Sequence, residues 1–498
     1  MPSTGQTDSP KLQRHLGLLG LTATGICSMI GASIYVVPFM IQRNVPGIGP
    51  NVIPAFLFAA IPAILAAFAY AMLSSAMPRA GGSYIFASRG LHPYLGFVAS
   101  FSQWFGLSIV IGVISYITIP FLRDIAAALS FDQLASYLEK GTVRVLLSLL
   151  ILWLFVYINI RGLKTYVRTL IPLMLLMFGL GMIVIYSGIS IDKVTFVSAV
   201  APEVMSQIDM ENTSEFQWQT FLAAAAILFS SFIGFDAIAQ ASGEAKHPTK
   251  LLPKAIGLAV LIVGTYYFTF TSAIYHAIPW QYVAHEAATK DITATGLLLP
   301  VIPFALGVII TSGAAIALIN DLPAMLLSVS RLIFAWAADG IFPKKLSTTH
   351  ARFHTPYLAL VMSGMMASIG ILGSHFAGDF FLGIDIMVLS MLVNFLFMCI
   401  TVIAIKEKNS TLAKNIKVVQ NRKIQLVLAW SGVIFLSGFL IVHVAKDLNT
   451  NVDHWYFRST PIWLIVMGLG SLIFLIQYKR LKRKGTNLKQ LFNELPKT

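Results

Sequence analysis

Charged residues are scarce in this chain. Asp, Glu, Lys and Arg make up 11% of its 498 residues, where an ordinary soluble domain carries about 25%. A soluble globule cannot bury the 57% of residues that are hydrophobic and still cover itself with polar groups. Cysteine is nearly absent, and Cys27 and Cys399 both lie inside apolar blocks, which excludes a disulfide framework and a zinc-ligand spacing. No helix carries a sustained polar stripe, against a channel, and no cluster of nucleophile, base and metal ligands sits at depth, against a membrane enzyme. Gly20-Leu-Thr-Ala-Thr-Gly25 has the glycine spacing of a phosphate loop, but Ile26 replaces the required lysine, so ATP drive is not expected. His350 and His354 lack further ligands nearby, so neither a metal nor any other cofactor is expected.

What is present is a series of apolar blocks about 20 residues long. That length crosses a hydrocarbon core of roughly 30 Å at 1.5 Å per residue. Spans are expected near 17–41, 52–76, 94–121, 143–160, 167–188, 218–241, 255–278, 297–329, 356–373, 380–404, 424–444 and 461–477. Backbone groups facing lipid must be satisfied internally, and alternation with period 2 is absent, so these are helices and not barrel strands. The first block is longer than a signal-peptide core and lacks a small-residue cleavage site, so it reads as a retained span.

Charge orients the chain. With the N-terminus in the cytoplasm, the inner segments hold 27 of the 35 Lys and Arg, while 13 of the 21 acids fall outside. The positive-inside rule predicts that asymmetry, with both termini cytoplasmic in an inner or plasma membrane. The net charge of +14 therefore points to cytoplasmic membrane lipid as a partner and not to nucleic acid.

The first and sixth spans loosen in the middle into small and polar residues: Cys27-Ser-Met-Ile-Gly-Ala-Ser33 and Ser230-Ser-Phe-Ile-Gly-Phe-Asp236. Each opens a block of five spans, and an odd number of helices per block inverts the second copy. Small residues serve close helix packing as well as unwinding. Their coincidence at corresponding positions in two halves favours unwinding and marks a midplane binding site. The expected organisation is a cytoplasmic segment 1–16, a first repeat 17–188, an outer loop 189–215, a second repeat 216–405, two further spans with their loops over 406–477, and a basic tail 478–498.

The run Met77-Pro-Arg-Ala-Gly-Gly-Ser-Tyr84 resembles the signature after the second helix of amino-acid permeases. Gly234-Phe-Asp236 with Gly243-Glu244 and Pro248, then Ser330-Arg331 through Asp339-Gly340 to Thr355-Pro356, resemble that family's sixth-helix and eighth-to-ninth-helix motifs. These motifs occur in order over residues 17–405, so the chain resembles the amino acid–polyamine–organocation transporters. The resemblance implies an all-α integral membrane fold of twelve helices, a five-plus-five inverted repeat like that of the leucine transporter followed by two C-terminal helices. It also implies secondary active transport of amino acids by alternating access, coupled to a proton or sodium gradient. Exchange of amino acids or polyamines is the alternative. A non-transporting sensor on the same fold would need an added soluble domain, for which the tail is expected to be too short.

A broken helix offers N–H groups to a substrate carboxylate and C=O groups to its ammonium. Ile30, Gly31, Ala32 and Ser33 are expected to meet the carboxylate, and the carbonyls near Cys27–Met29 and Phe229–Ser231 the ammonium. With Phe232 and Gly234 these residues form the expected substrate site. The family's common first-helix form is isoleucine–glycine–serine–glycine–isoleucine, and Ile30-Gly-Ala-Ser-Ile34 departs from it. Many relatives place a lidding aromatic at Ser230, a task that here falls to Phe229 or Phe232 unless the pocket is more open. Gln103 and Trp104 are further pocket candidates, with packing the commoner role of a helical tryptophan.

Acids at membrane depth tend to carry function. Asp236 is a candidate for substrate or proton handling, or for bonding loosened backbone. Asp321 with Asn320 is a sodium or proton site, or a hydrogen-bonded kink before Pro323. Some proton-coupled relatives use a fifth-helix lysine, whose approximate match here is Met177. Asp385, near a span end, is read as structural.

Overall fold

A computed structural model of the chain describes residues 12–31, 33–377, 381–450, 452 and 454–496, with the backbone alone at Ser33 and Ala377. Ala32 and the Ser33 side chain, two of the expected carboxylate contacts, lie outside the described set. Among the described residues, twelve helices are long and apolar enough to cross a membrane: Leu18–Asn44, Gly49–Ala76, Pro93–Ala128, Gly141–Ile160, Leu163–Ser190, Trp218–Glu244, Pro248–Ala277, Phe304–Ala338, Tyr357–Phe376, Phe381–Lys408, Arg422–Asn449 and Ser459–Arg483. Most run past the apolar blocks because long basic side chains at their ends can carry charge out of the hydrocarbon. The eighth begins later than 297, since Ala294–Leu298 is a separate short helix ahead of Pro303.

The packing partners follow a five-plus-five scheme. Span two packs on seven, three on eight and four on nine. The contact of three with ten is matched by that of eight with five, and one with seven by six with two. Exchanging each span of the first five for its counterpart in the second five maps these pairs onto each other, as an inverted repeat requires. Span eleven lies mainly on ten, two and six, and span twelve on three and ten. Their outer flanks expose Trp430, Ile434, Leu464 and Leu469, among others, as lipid-facing helices do.

Both interrupted spans break where small residues replaced large apolar ones. The first runs helically from Leu18 to Met29, stops at Ile30 with ψ +88°, and restarts at Ser33. The sixth runs from Trp218 to Leu228, tightens into a 3-10 turn over Phe229–Phe232, and becomes extended at Ile233. Gly234 follows at φ +134°, a region open to glycine and closed to side-chain-bearing residues. Short helices sit between spans, among them Gly82–Gly90, Lys193–Ala199 and Trp280–Thr289. An even number of crossings puts both described ends of the chain on one face, here the terminal face.

Candidate functional site

The two breaks meet. A Cβ built on Gly234 would overlap the carbonyl oxygen of Ser28, so the sixth-span backbone lies directly on that of the first. A Cβ on Gly31 would lie 2.5 Å from Oδ2 of Asp321, which brings span eight to the same point. Asn320 donates from Nδ2 to the Cys27 sulfur at 3.0 Å, a second tie between the same two spans. Pro323 has no N–H, so the helical turn holding Asn320 and Asp321 loses one of its internal hydrogen bonds.

A cavity of about 260 Å³ opens from these breaks toward the face opposite the termini. Ser28, Gly31, Ser230 and Asp321 line its head. Its side wall is apolar, built from Val36 and Val37 of span one, Val110, Val113 and Ile114 of span three, Met325 of span eight and Met387 of span ten. Arg123, Asp124, Arg144 and Asp291 stand at the mouth, where Arg43 bonds Asp291 at 2.8 Å. Ser230 Oγ and Asp321 Oδ1 have no hydrogen-bond partner among the described residues. Buried polar atoms are ordinarily paired, and unpaired ones aimed into a cavity suit a polar guest.

The structure gathers some of the expected site residues and turns others away. Gly31, Ser230 and Asp321 share the cavity. Ile30 is buried in the core. Phe229 packs on Phe395 and Phe439, and Phe232 on Phe56 and Tyr267, so neither ring lids the cavity. Within the 3-10 turn only Ser230 lines it. One of the expected ammonium acceptors is already engaged, and another is packed against backbone. Tyr267 donates to the Met29 carbonyl at 2.5 Å, and the Ser28 carbonyl lies against Gly234. Trp104 belongs to an aromatic cluster with Phe101 and Trp336, a packing role. Met177 is buried in a fifth span that packs on the first and eighth, with no charge to offer there.

Asp236 lies off the cavity, with both carboxylate oxygens engaged. Oδ1 accepts from the Gly234 N–H at 3.2 Å, and Oδ2 accepts from Gln103. The Gln103 carbonyl in turn accepts from Ser83 Oγ at 2.5 Å and Gln240 Nε2 at 3.1 Å. Asp236 thereby fastens the sixth-span break to span three, the backbone-bonding alternative of the sequence reading.

Toward the terminal face the path is closed. Arg331 grips Glu244 through two nitrogens, at 2.5 and 3.3 Å, both side chains buried. Arg89 grips Asp339 likewise at 2.6 and 2.8 Å, and the Tyr84 hydroxyl donates to the same carboxylate at 2.7 Å. Burial and the Asp339 charge push the Tyr84 hydroxyl well above its ordinary pKa, so it remains a donor. Burial pulls the Arg89 guanidinium down, but the adjacent Asp339 outweighs it and the net shift is upward. Leu16 pairs by backbone with Glu244 and Lys246 at 2.9 and 2.8 Å. The chain's last described residues finish the seal: Phe492 lies under Arg89, whose Nε donates to the Glu494 carbonyl, and Arg79 donates to the Pro496 carbonyl at 2.9 Å. The motif residues Arg79, Tyr84, Glu244, Arg331 and Asp339, dispersed in sequence, are thus one structure. Nothing in their spacing showed which acid meets which arginine.

Removing one partner of a buried ion pair costs about 3–5 kcal/mol, because the other charge stays desolvated. Glu244→Gln is therefore expected to lower the thermal midpoint of the protein in detergent by several degrees. A midpoint equal to wild type would show that Arg331 is hydrated and the seal open in solution.

A family model described as amino acid permease matches residues 16–469. The branched-chain amino acid permease of Bacillus subtilis is 26% identical over 376 residues, covering 72% of this chain and 74% of that protein. The methylthioribose transporter of the same species is 26% identical over 487 residues, 96% of each chain. Cationic amino acid transporter 4 of Mus musculus is 25% identical over 378 residues, 72% of this chain and 55% of its own length.

Proposed function

We propose a substrate and a mode of transport for a chain that belongs to the amino acid permease family. It is a multi-pass membrane transporter and not an enzyme. Its substrate, on our reading, is a neutral amino acid with an apolar side chain, carried by alternating access and driven by a proton or sodium gradient. Gly31 and the restart of span one at Ser33 supply backbone N–H groups for the carboxylate. The head of the cavity, with Ser230 and Asp321, takes the ammonium or the coupling ion.

One observation carries the choice of substrate: valines, isoleucines and methionines form the wall that faces the side chain. A cationic side chain there would be desolvated with no acid beside it, since Asp321 is at the head and Asp124 and Asp291 are at the mouth. The branched-chain relative supports the same reading. Both termini on the cytoplasmic side, as the lysines and arginines favour, make the present form outward-open, with the gate of Glu244–Arg331 and Arg89–Asp339 closed inside. Inward opening requires those pairs to part.

Purified protein in proteoliposomes under an imposed pH or sodium gradient tests this. Labelled leucine is expected to accumulate and arginine to be excluded. Val110→Phe, which takes up wall space, is expected to weaken leucine uptake about tenfold or more and alanine uptake less, as pocket volume discriminates among apolar groups. Arginine uptake equal to leucine would sink the reading. Methylthioribose belongs in the same assay because the relative of that name aligns over nearly the whole chain. Uptake of it in place of leucine would favour a methylthio group against the apolar wall and hydroxyls at Ser28, Ser230 and Asp321. Counterflow without a gradient would identify an exchanger.

A further inference from the structure

On the other flank of the sixth-span break, spans two and seven leave a groove of about 560 Å³ that opens sideways, between the helices, toward the surrounding lipid. Ala60, Ala67, Gly257 and Gly264 set its trough back, while Leu57 and Leu261 stand exposed along it. Phe232 lies in its lining, and no acid or base lines it. Both walls are membrane-crossing helices, so hydrocarbon is what reaches the groove. Its terminal-face end is formed by Ala71, Pro253 and Val418. Exposed Lys250 and Lys254 flank Pro253 in sequence, and exposed Lys417 precedes Val418.

We propose that this groove seats one acyl chain of an anionic phospholipid from the leaflet at the terminal face, with its headgroup at Lys250, Lys254 and Lys417. The trough matches a chain in polarity, and the lysines match a phosphate in charge. The seat also bears on transport. The Phe232 ring lies 5.2 Å from Phe56 and 6.0 Å from Tyr267, whose hydroxyl holds the Met29 carbonyl at the first break. A chain in the groove therefore rests on the aromatic group that supports both breaks, and an empty groove leaves that group unsupported on one side.

The glycines make the test clean. A Cβ on Gly257 meets nothing within 4 Å, and one on Gly264 meets only the Phe232 ring at 3.9 Å. The first added atom finds room at both positions, so Gly257→Leu and Gly264→Leu are expected to occupy the groove, and Gly257→Ala serves as a folding control. Native mass spectrometry of wild type with mixed phosphatidylglycerol and phosphatidylcholine is expected to show retained phosphatidylglycerol. The leucine variants should lose it, and Lys250→Gln or Lys254→Gln should weaken the preference about fivefold each. In vesicles, added phosphatidylglycerol should raise wild-type leucine uptake several-fold and leave Gly257→Leu unchanged. No preference between the two lipids, or equal retention by wild type and the leucine variants, overturns the proposal whatever the protein transports.

Discussion

Leucine in place of Gly234 is expected to abolish substrate binding while the protein still inserts and purifies at full length. The glycine sits at φ +134° with the Ser28 carbonyl where a Cβ would be. Any side chain must change that dihedral or push the first span away from the sixth, and both routes dismantle the head of the cavity. Strained backbone of this kind costs on the order of 1–3 kcal/mol, and separating the breaks adds lost contacts, so affinity should fall about a hundredfold or more. Gly234→Ala carries the same Cβ and should share most of the loss. Gly31→Leu fails for a different reason, since its side chain would enter the cavity beside Asp321. Isothermal titration in detergent reads all three. Near-normal affinity for Gly234→Ala would show that the two breaks do not touch in the working protein.

Asp321→Asn is expected to remove gradient-driven accumulation and leave exchange of substrate across the membrane partly intact. This acid alone lies on the cavity at the breaks, beside Gly31, with Oδ1 unpartnered among the described residues. On the coupling we propose, this carboxylate either carries a proton or binds sodium together with freed backbone carbonyls. The Asn320 side-chain oxygen, also without a described partner, is a further ligand for sodium. Asparagine keeps the shape and removes the charge on which either ion depends. Proteoliposomes under a pH or a sodium gradient separate the two ions in wild type, and the variant should concentrate substrate under neither. Wild-type accumulation would reduce Asp321 to a hydrogen-bonding residue of a kinked helix. Asp236, with both oxygens engaged off the cavity, would then be the remaining deep candidate.

The spans and their two interruptions were legible because hydropathy and residue size are local properties. Gly31 between Ile30 and Ala32, or Gly234 between Ile233 and Phe235, weakens a helix wherever the rest of the chain lies. The direction each residue faces was not legible. The sequence offered Phe229 or Phe232 as a lid over the substrate, with a more open pocket as the alternative, and the 3-10 turn rotates both rings outward, onto span ten and span two, and leaves Ser230 as its one residue facing in. The apolar wall also escaped notice, because Val110 or Met387 in a hydrophobic run looks like any other core residue. Asp236 stood out as a charge at depth, but its role depends on Gln103, which lies 133 residues away in sequence.

The seal on the terminal face joins residues from the two ends of the chain. Arg79 meets Pro496 across 417 residues, and Arg89 meets Glu494 across 405. A ribosome makes the chain from its N-terminus, so all twelve spans have been synthesised before Phe492, Glu494 and Pro496 leave the exit tunnel. Completion of the seal therefore follows synthesis of the twelfth span. A nascent chain halted after the twelfth span has Arg331–Glu244 and Arg89–Asp339 available, but neither the aromatic ring beneath Arg89 nor the carbonyl that engages Arg79. Biogenesis of this protein thus passes through an interval in which all twelve spans have been made and the closure lacks the contacts of Phe492, Glu494 and Pro496.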